Sequence, residues 1–154
     1  ILPEIVTAVA TLLLFMALGI KLGLLTVIVA HVGFCIPFAY LPIRARLNDL
    51  DKSLLEAAND LYANPWQVFR RVTLPLLWPA VLSGSVLAFV VSLDDFIMTF
   101  FVAGPGSTTL PVYIFSAIKA GVTPEINAIS TLMLVISIVL VVLAFWLGQR
   151  GKNQ

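Results

Sequence analysis

Apolar positions run almost unbroken along this chain, and the charges fall between the runs. Ile5–Ile20, Leu22–Ile43 and Ile126–Leu147 carry no formal charge, and Leu76–Phe101 carries only the adjacent pair Asp94-Asp95. A helix needs about 20 residues to cross a hydrocarbon core of roughly 30 Å. Three of the stretches reach that length, and the first is cut short by Glu4 and the start of the sequence. The pattern predicts an all-α polytopic membrane protein with four transmembrane helices. The sequence opens Ile-Leu-Pro-Glu, with no initiator Met and no basic n-region, so it does not read as a signal peptide. The expectation is the remainder of a longer chain.

Composition agrees with the pattern. Of 154 residues, 60% are hydrophobic and 11% charged, against roughly 45–50% and about 25% in a soluble domain. A formal net charge of +1 gives no basic field for nucleic acid. One cysteine, Cys35, and one histidine, His31, exclude a disulfide framework and a multi-cysteine metal site. No cofactor is expected. Lys and Arg counts in short loops set orientation. Arg44, Arg46, Lys52, Arg70, Arg71, Arg150 and Lys152 lie on one side, and Lys21 and Lys119 on the other. This places the segment between the second and third spans, and the C-terminus, in the cytoplasm. On the outer side, the segment Gly104–Pro124 is expected to hold a short helix around Val112–Ala120.

The cytoplasmic segment carries helix signals of its own. Ser53 and Glu56 fit a capping box, and Glu-Ala-Ala-Asn-Asp-Leu continues as a short helix. Asn64-Pro65 is a second start, an N-cap with proline at the first helical position. Trp66, Phe69 and Val72 fall on one side of that helix, and Leu74-Pro75 is expected to end it. Two short helices set against each other are more structure than a connector needs.

These residues carry a resemblance. Glu56-Ala57-Ala58, Ala63-Asn64-Pro65-Trp66 and Phe69-Arg70-Arg71-Val72-Thr73-Leu74-Pro75 resemble the EAA loop of ABC importer permeases. More narrowly, the chain is similar to permease subunits of spermidine/putrescine importers. That resemblance rests on Pro3-Glu4-Ile5-Val6, His31-Val32-Gly33-Phe34-Cys35-Ile36-Pro37-Phe38, Ser92-Leu93-Asp94-Asp95 and Gly121-Val122-Thr123-Pro124-Glu125-Ile126-Asn127-Ala128. It implies a type I importer permease fold, with 1–154 as one permease domain holding the last four of about six helices. It implies a coupling loop at 49–75, with Glu56, Ala57, Ala58, Tyr62, Asn64, Pro65, Leu74 and Pro75 facing a cytoplasmic ATP-binding cassette subunit. The other implied partners are a second permease, an extracytoplasmic binding protein, the bilayer and a polyamine. One position departs: Tyr62 stands where the family usually has glycine. A tight or left-handed turn is costly for tyrosine, so an altered turn and retuned or weakened coupling are expected.

The acidic pair is the second chemical signal. A carboxylate at mid-membrane costs about 2.5–3.5 kcal/mol on insertion scales, so it usually meets a cavity or a partner. Adjacent helical residues point about 100° apart. Ser85, Ala88, Ser92, Asp95 and Thr99 form a small, polar stripe, whereas Asp94 shares a stripe with Leu87, Val91 and Met98. Asp95 is therefore the expected pathway residue, with Ser92 beside it and Asp94 nearer a helix interface or the membrane boundary; the alternative is that the pair caps a helix end or meets a lysine of a partner subunit. Spaced carboxylates beside aromatic faces suit the ammonium groups of a polyamine. Glu4 is either a further pathway acid or an interfacial residue. His31 is read as a hydrogen-bonded packing residue, Cys35 as a small buried hydrophobe, and Trp78 and Trp146 as interfacial anchors. Glu125 lies in the first turn of the last helix, where the dipole favours an acid.

Other functional classes fit the same residues less well. No Gly-x-x-x-x-Gly-Lys-Ser/Thr segment is present, so ATP hydrolysis falls to a separate protein and this chain is not an enzyme. A membrane hydrolase using Ser83 or Ser85 with His31 lacks an orienting acid near the histidine in sequence. A passive channel or structural subunit would not need the paired loop helices. Within transport, iron, sulfate or an opine-like solute are the alternatives to a polyamine. An anion importer would place basic groups or helix N-termini at its cavity, and the acidic pair points to a cation instead.

Overall fold

The computed structural model describes residues 3–150; Lys152 lies outside them, as do the side chains of Lys52, Leu55, Asn59 and residues 147–150. The described residues are helices joined by turns. In chain order these are α1 (Glu4–Ala17), α2 (Leu24–Asn48), α3 (Lys52–Asp60), α4 (Pro65–Val68), a π-helical turn (Phe69–Thr73), α5 (Leu74–Asp94), α6 (Ile97–Val102), α7 (Leu110–Ala120) and α8 (Pro124–Arg150). Among the described residues, three helical runs are long and apolar enough to cross a membrane: Leu24–Asn48, Pro65–Asp94 and Pro124–Trp146. The protein is a multi-pass membrane protein. α1 is apolar but has 14 residues, which reach about 21 Å.

Two expectations about span limits are corrected. The helix containing Pro75 does not stop there: α4, the π turn and α5 form one run from Pro65 to Asp94. Proline has no N–H and its ring collides with the carbonyl four residues back. A wider turn spanning Phe69–Thr73 directly precedes it and gives the chain room to pass without ending the helix. The third span, by contrast, does not reach Phe101. It ends at Asp94, and α6 restarts at Ile97.

The segment between α2 and α5 forms as two short helices, with one change of cap. Asn64 accepts from the Gln67 amide at 2.8 Å, and the Gln67 side chain accepts from the Asn64 amide at 3.0 Å, a complete capping box. α3 starts two residues earlier than a Ser53 cap implies, because Asp51 Oδ1 accepts from the Ser53 amide at 2.9 Å. That hydrogen bond holds the Asp51 carboxyl below its ordinary value. Between the helices the chain makes a left-handed turn. Tyr62 adopts φ 57°, the one non-glycine residue with positive φ among those described.

The chain divides into two compact units: one comprises the residues through Ile36 with Val90–Ile138, the other Pro37–Phe89 with the residues from Val139 onward. In the first unit Ala8 and Phe15 of α1, Val27 and Ala30 of α2, and Met98 and Val102 of α6 form a buried apolar cluster. Thr26 ties it together, its hydroxyl accepting from the Gly23 amide at 2.8 Å and reaching the Val102 carbonyl at 2.8 Å. In the second unit Ser83 donates to the Ala144 carbonyl at 2.8 Å.

Close packing in the second unit depends on one missing side chain. Ala80, Gly84 and Ala88 recur every four residues along α5, the small-residue spacing that lets membrane helices approach. A Cβ on Gly84 would lie 2.6 Å from the Ala39 carbonyl oxygen of α2. Gly84→Val is therefore expected to destabilise the protein by about 1–3 kcal/mol through overpacking. Thermal unfolding in detergent checks this, and an unchanged midpoint would show that the two backbones can part freely.

A candidate site at the broken helix

The site lies within the first unit, where α5 gives way to α6. Asp95 and Phe96 fall between the helices, and Asp95 supplies the cap that α6 needs. Its Oδ1 accepts from the Met98 amide at 3.1 Å, and its Oδ2 from the Thr99 amide at 2.9 Å and the Thr99 hydroxyl at 3.0 Å. A free helix start leaves amides without partners, and an aspartate satisfies them while meeting the dipole with negative charge.

From α2, His31 closes on the same carboxylate. Its Nε2 lies 3.1 Å from Asp95 Oδ2 and 2.8 Å from Thr99 Oγ1, while Nδ1 lies 2.7 Å from Ser92 Oγ. The hydrogens follow from the partners. The Thr99 hydroxyl has one hydrogen, directed at Asp95, so its oxygen accepts from Nε2–H; in the neutral ring Nδ1 then accepts from the Ser92 hydroxyl. Every polar atom of the imidazole is thus engaged. The histidine has the hydrogen-bonded packing role expected of it, and joins α2 to both sides of the break.

The two adjacent carboxylates differ sharply in exposure. Asp95 is buried at 5% exposure, and Asp94 is exposed. The polar stripe through Ser92, Asp95 and Thr99 exists, but it faces His31 rather than an open wall. The helix also ends at Asp94, so the 100° step between neighbours does not carry across the pair. Asp94 accepts from the Ser137 hydroxyl of α8 at 3.0 Å. Glu4, partly buried in the first turn of α1, is close enough to Asp95 for the two carboxyl groups to interact. Glu4, and Ser92 through His31, are therefore grouped around Asp95, and Asp94 precedes it in the chain. Phe96, tilted against Phe100 and Phe115 with ring centroids 5.4 Å and 4.6 Å away, adds an aromatic face.

His31 and Thr99 complete this group, and sequence reasoning had no acid for the histidine. Asp95 is that acid, 64 residues away in the chain. The serines once paired with His31 lie elsewhere: Ser83 donates to Ala144 and Ser85 to the Val81 carbonyl at 2.8 Å. Ser92, His31 and Asp95 do form a serine–histidine–carboxylate series. Its carboxylate, however, is committed to the α6 amides, and its serine meets Nδ1 rather than the nitrogen a triad uses.

The loop residues Glu56, Ala57, Ala58, Tyr62, Asn64, Pro65, Leu74 and Pro75 fall on or between α3, α4 and α5. Ala58 is buried, and Tyr62 is 97% exposed. Trp66 and Phe69 stack with centroids 5.6 Å apart.

The family described as "Binding-protein-dependent transport system inner membrane component" matches residues 1–150. The chain is similar to the spermidine/putrescine transport system permease protein PotC of Haemophilus influenzae, 49% identical over 151 residues, 98% of this chain and 59% of that protein. It is 44% identical over 160 residues to the putrescine transport system permease protein PotI of Escherichia coli K12, covering 100% of this chain and 57% of that one. PotC of the same organism is 45% identical over 152 residues, 99% of this chain and 57% of the relative. The chain thus spans 57–59% of the length of these curated relatives. With its apolar helices, its paired loop helices and a family match across residues 1–150, the chain belongs to the binding-protein-dependent transport system inner membrane components.

Proposed function

We propose that this chain forms part of a permease subunit of an ABC importer, lining half of a translocation pathway for spermidine or putrescine. The observation that carries the reading is 44–49% identity, across 98–100% of the chain, to permeases named for those polyamines. A cytoplasmic ATPase subunit would hydrolyse ATP, a second permease would form the facing wall, and an extracytoplasmic binding protein would deliver the cargo. The basic loop between α2 and α5, residues 49–75 of the single permease domain, and the C-terminus lie in the cytoplasm on this reading. The loop couples to the ATPase through α3 and α4, and α4 continues without a break into the helix that ends at Asp94.

A polyamine is a flexible chain of ammonium groups, and carboxylates flanked by aromatic faces would hold it by charge-assisted hydrogen bonds and cation–π contact. Asp94 is the acid a cation meets first, with Glu4 and Ser92 nearby. Asp95 joins the pathway only when His31 releases it, which would make the broken helix responsive to passage. A ligand shifts such an equilibrium only by binding its two states differently.

Uptake of labelled spermidine and putrescine by the complete protein, with its partner subunits in vesicles, tests this. ATP-dependent accumulation that the unlabelled polyamine competes away is expected. A complex that hydrolyses ATP with its binding protein yet accumulates neither polyamine would remove the cargo assignment.

A further inference from the structure

α1 and α3 end in the same kind of turn, and only one uses the residue that turn favours. At the end of α1 the Ile20 amide returns to the Phe15 carbonyl at 2.9 Å, across Gly19 at φ 67°. At the end of α3 the Ala63 amide returns to the Ala58 carbonyl at 3.2 Å, across Tyr62 at φ 57°. This helix-ending motif places a left-handed residue just past the helix, normally glycine. A side chain there meets the following carbonyl and disfavours the turn. The Tyr62 ring recovers little within its own chain, since the residue is 97% exposed. An observed backbone outlier with no internal compensation points to use of the side chain elsewhere.

Its surroundings indicate where. Leu61 is 82% exposed and Trp66 66%, an apolar surface on the loop farthest in sequence from the flanking spans. Trp66, Gln67, Arg70 and Arg71 line an open cavity of about 500 Å³. Aromatic side chains beside arginines are the composition of protein–protein anchor points, and the paired guanidinium groups suit a partner carrying carboxylates.

We propose that Tyr62 is a docking anchor, whose ring seats in an apolar pocket on the ATPase subunit while acidic side chains of that subunit enter the Arg70–Arg71 cavity. The inference rests on the loop's reading as the ATPase-coupling segment and names the side chain that sets its partner. A residue merely tolerated in a strained turn predicts the opposite sign on replacement by glycine.

The test is the affinity of the ATPase for the complete permease pair in detergent, for wild type, Tyr62→Gly, Tyr62→Ala and Tyr62→Phe. Glycine relieves the backbone and alanine does not, but both remove the ring. Both are expected to bind about tenfold more weakly or worse, with phenylalanine within about twofold of wild type. Tyr62→Gly should also melt no lower than wild type, which separates lost docking from lost folding. Wild-type or tighter binding by Tyr62→Gly overturns the anchor while leaving the coupling loop in place. Equal binding by all four, as for a ring lying in lipid headgroups, overturns it too. A wild-type pair that binds no ATPase removes both the anchor and the reading beneath it.

Discussion

Asp95→Ala should be the most damaging single change at the broken helix, lowering stability by about 3–5 kcal/mol. The carboxylate is buried and accepts from the Met98 and Thr99 amides, the Thr99 hydroxyl and His31. Alanine leaves two amides at the start of α6 without an acceptor, and each buried orphan costs about 1–3 kcal/mol. The Thr99 hydroxyl can turn to another partner, and His31 keeps Thr99, so those losses are smaller. Asp95→Asn separates the contributions. Asparagine caps a helix about as well as aspartate, but places an amide in a position where only acceptors fit, so it should fall between wild type and alanine. His31→Ala removes one of the four donors and leaves the cap, and should cost less than Asp95→Ala. The readout is the fraction of monodisperse protein surviving graded heating in detergent. If Asp95→Ala survives as wild type does, something other than this carboxylate holds the break.

That break shows where the sequence was readable and where it was not. Asn64-Pro65 marks the start of α4 because the signal is local: the cap and the fixed proline dihedral act within one turn. The same holds for α7 and for Glu125 at the start of α8. The run Leu76–Phe101 has no glycine or proline near residue 95, so its one local sign of a division is the acidic pair, which reads equally as a helix cap or as a pathway acid. Asp95 holds the division together with His31, whose partners Ser92 and Thr99 lie 61 and 68 residues away. A histidine in an apolar helix shows that some partner is needed without showing which one. Pro75 errs in the other direction: the local rule says stop, and the π turn before it absorbs the proline.

The candidate site was legible as a set and illegible in its orientation. Spacing grouped Ser92, Asp95 and Thr99 on one face, and they do share a partner. Polarity alone cannot say whether such a face looks onto a pathway or onto another polar side chain. Here the matching groups of His31 turn it inward, leaving Asp94 as the outer acid. Tyr62 was legible only as an oddity; its positive φ and exposure had to be seen before it could be assigned a use.

The functional counterpart is Asp94→Lys, which should reduce polyamine uptake more than tenfold while leaving the protein folded. Asp94 is exposed and accepts from the Ser137 hydroxyl at 3.0 Å. That hydroxyl can turn to accept from an ammonium group, and a cation at the C-terminal end of α5 agrees with the helix dipole. The α6 cap is untouched, because Asp95 alone makes it. For a passing ammonium group the change is large. Two like charges about 7 Å apart repel by about 2 kcal/mol at an effective dielectric near 20, and each 1.4 kcal/mol is about a factor of ten. Attraction by the native carboxylate is lost as well. Asp94→Asn, which loses attraction without adding repulsion, should retain more uptake than Asp94→Lys, and the gap between them should narrow as salt rises. The measurement is the initial rate of labelled spermidine uptake in vesicles, normalised to assembled complex and to ATP turnover. Equal uptake by wild type and Asp94→Lys, at equal assembly, would mean that polyamine does not pass this carboxylate.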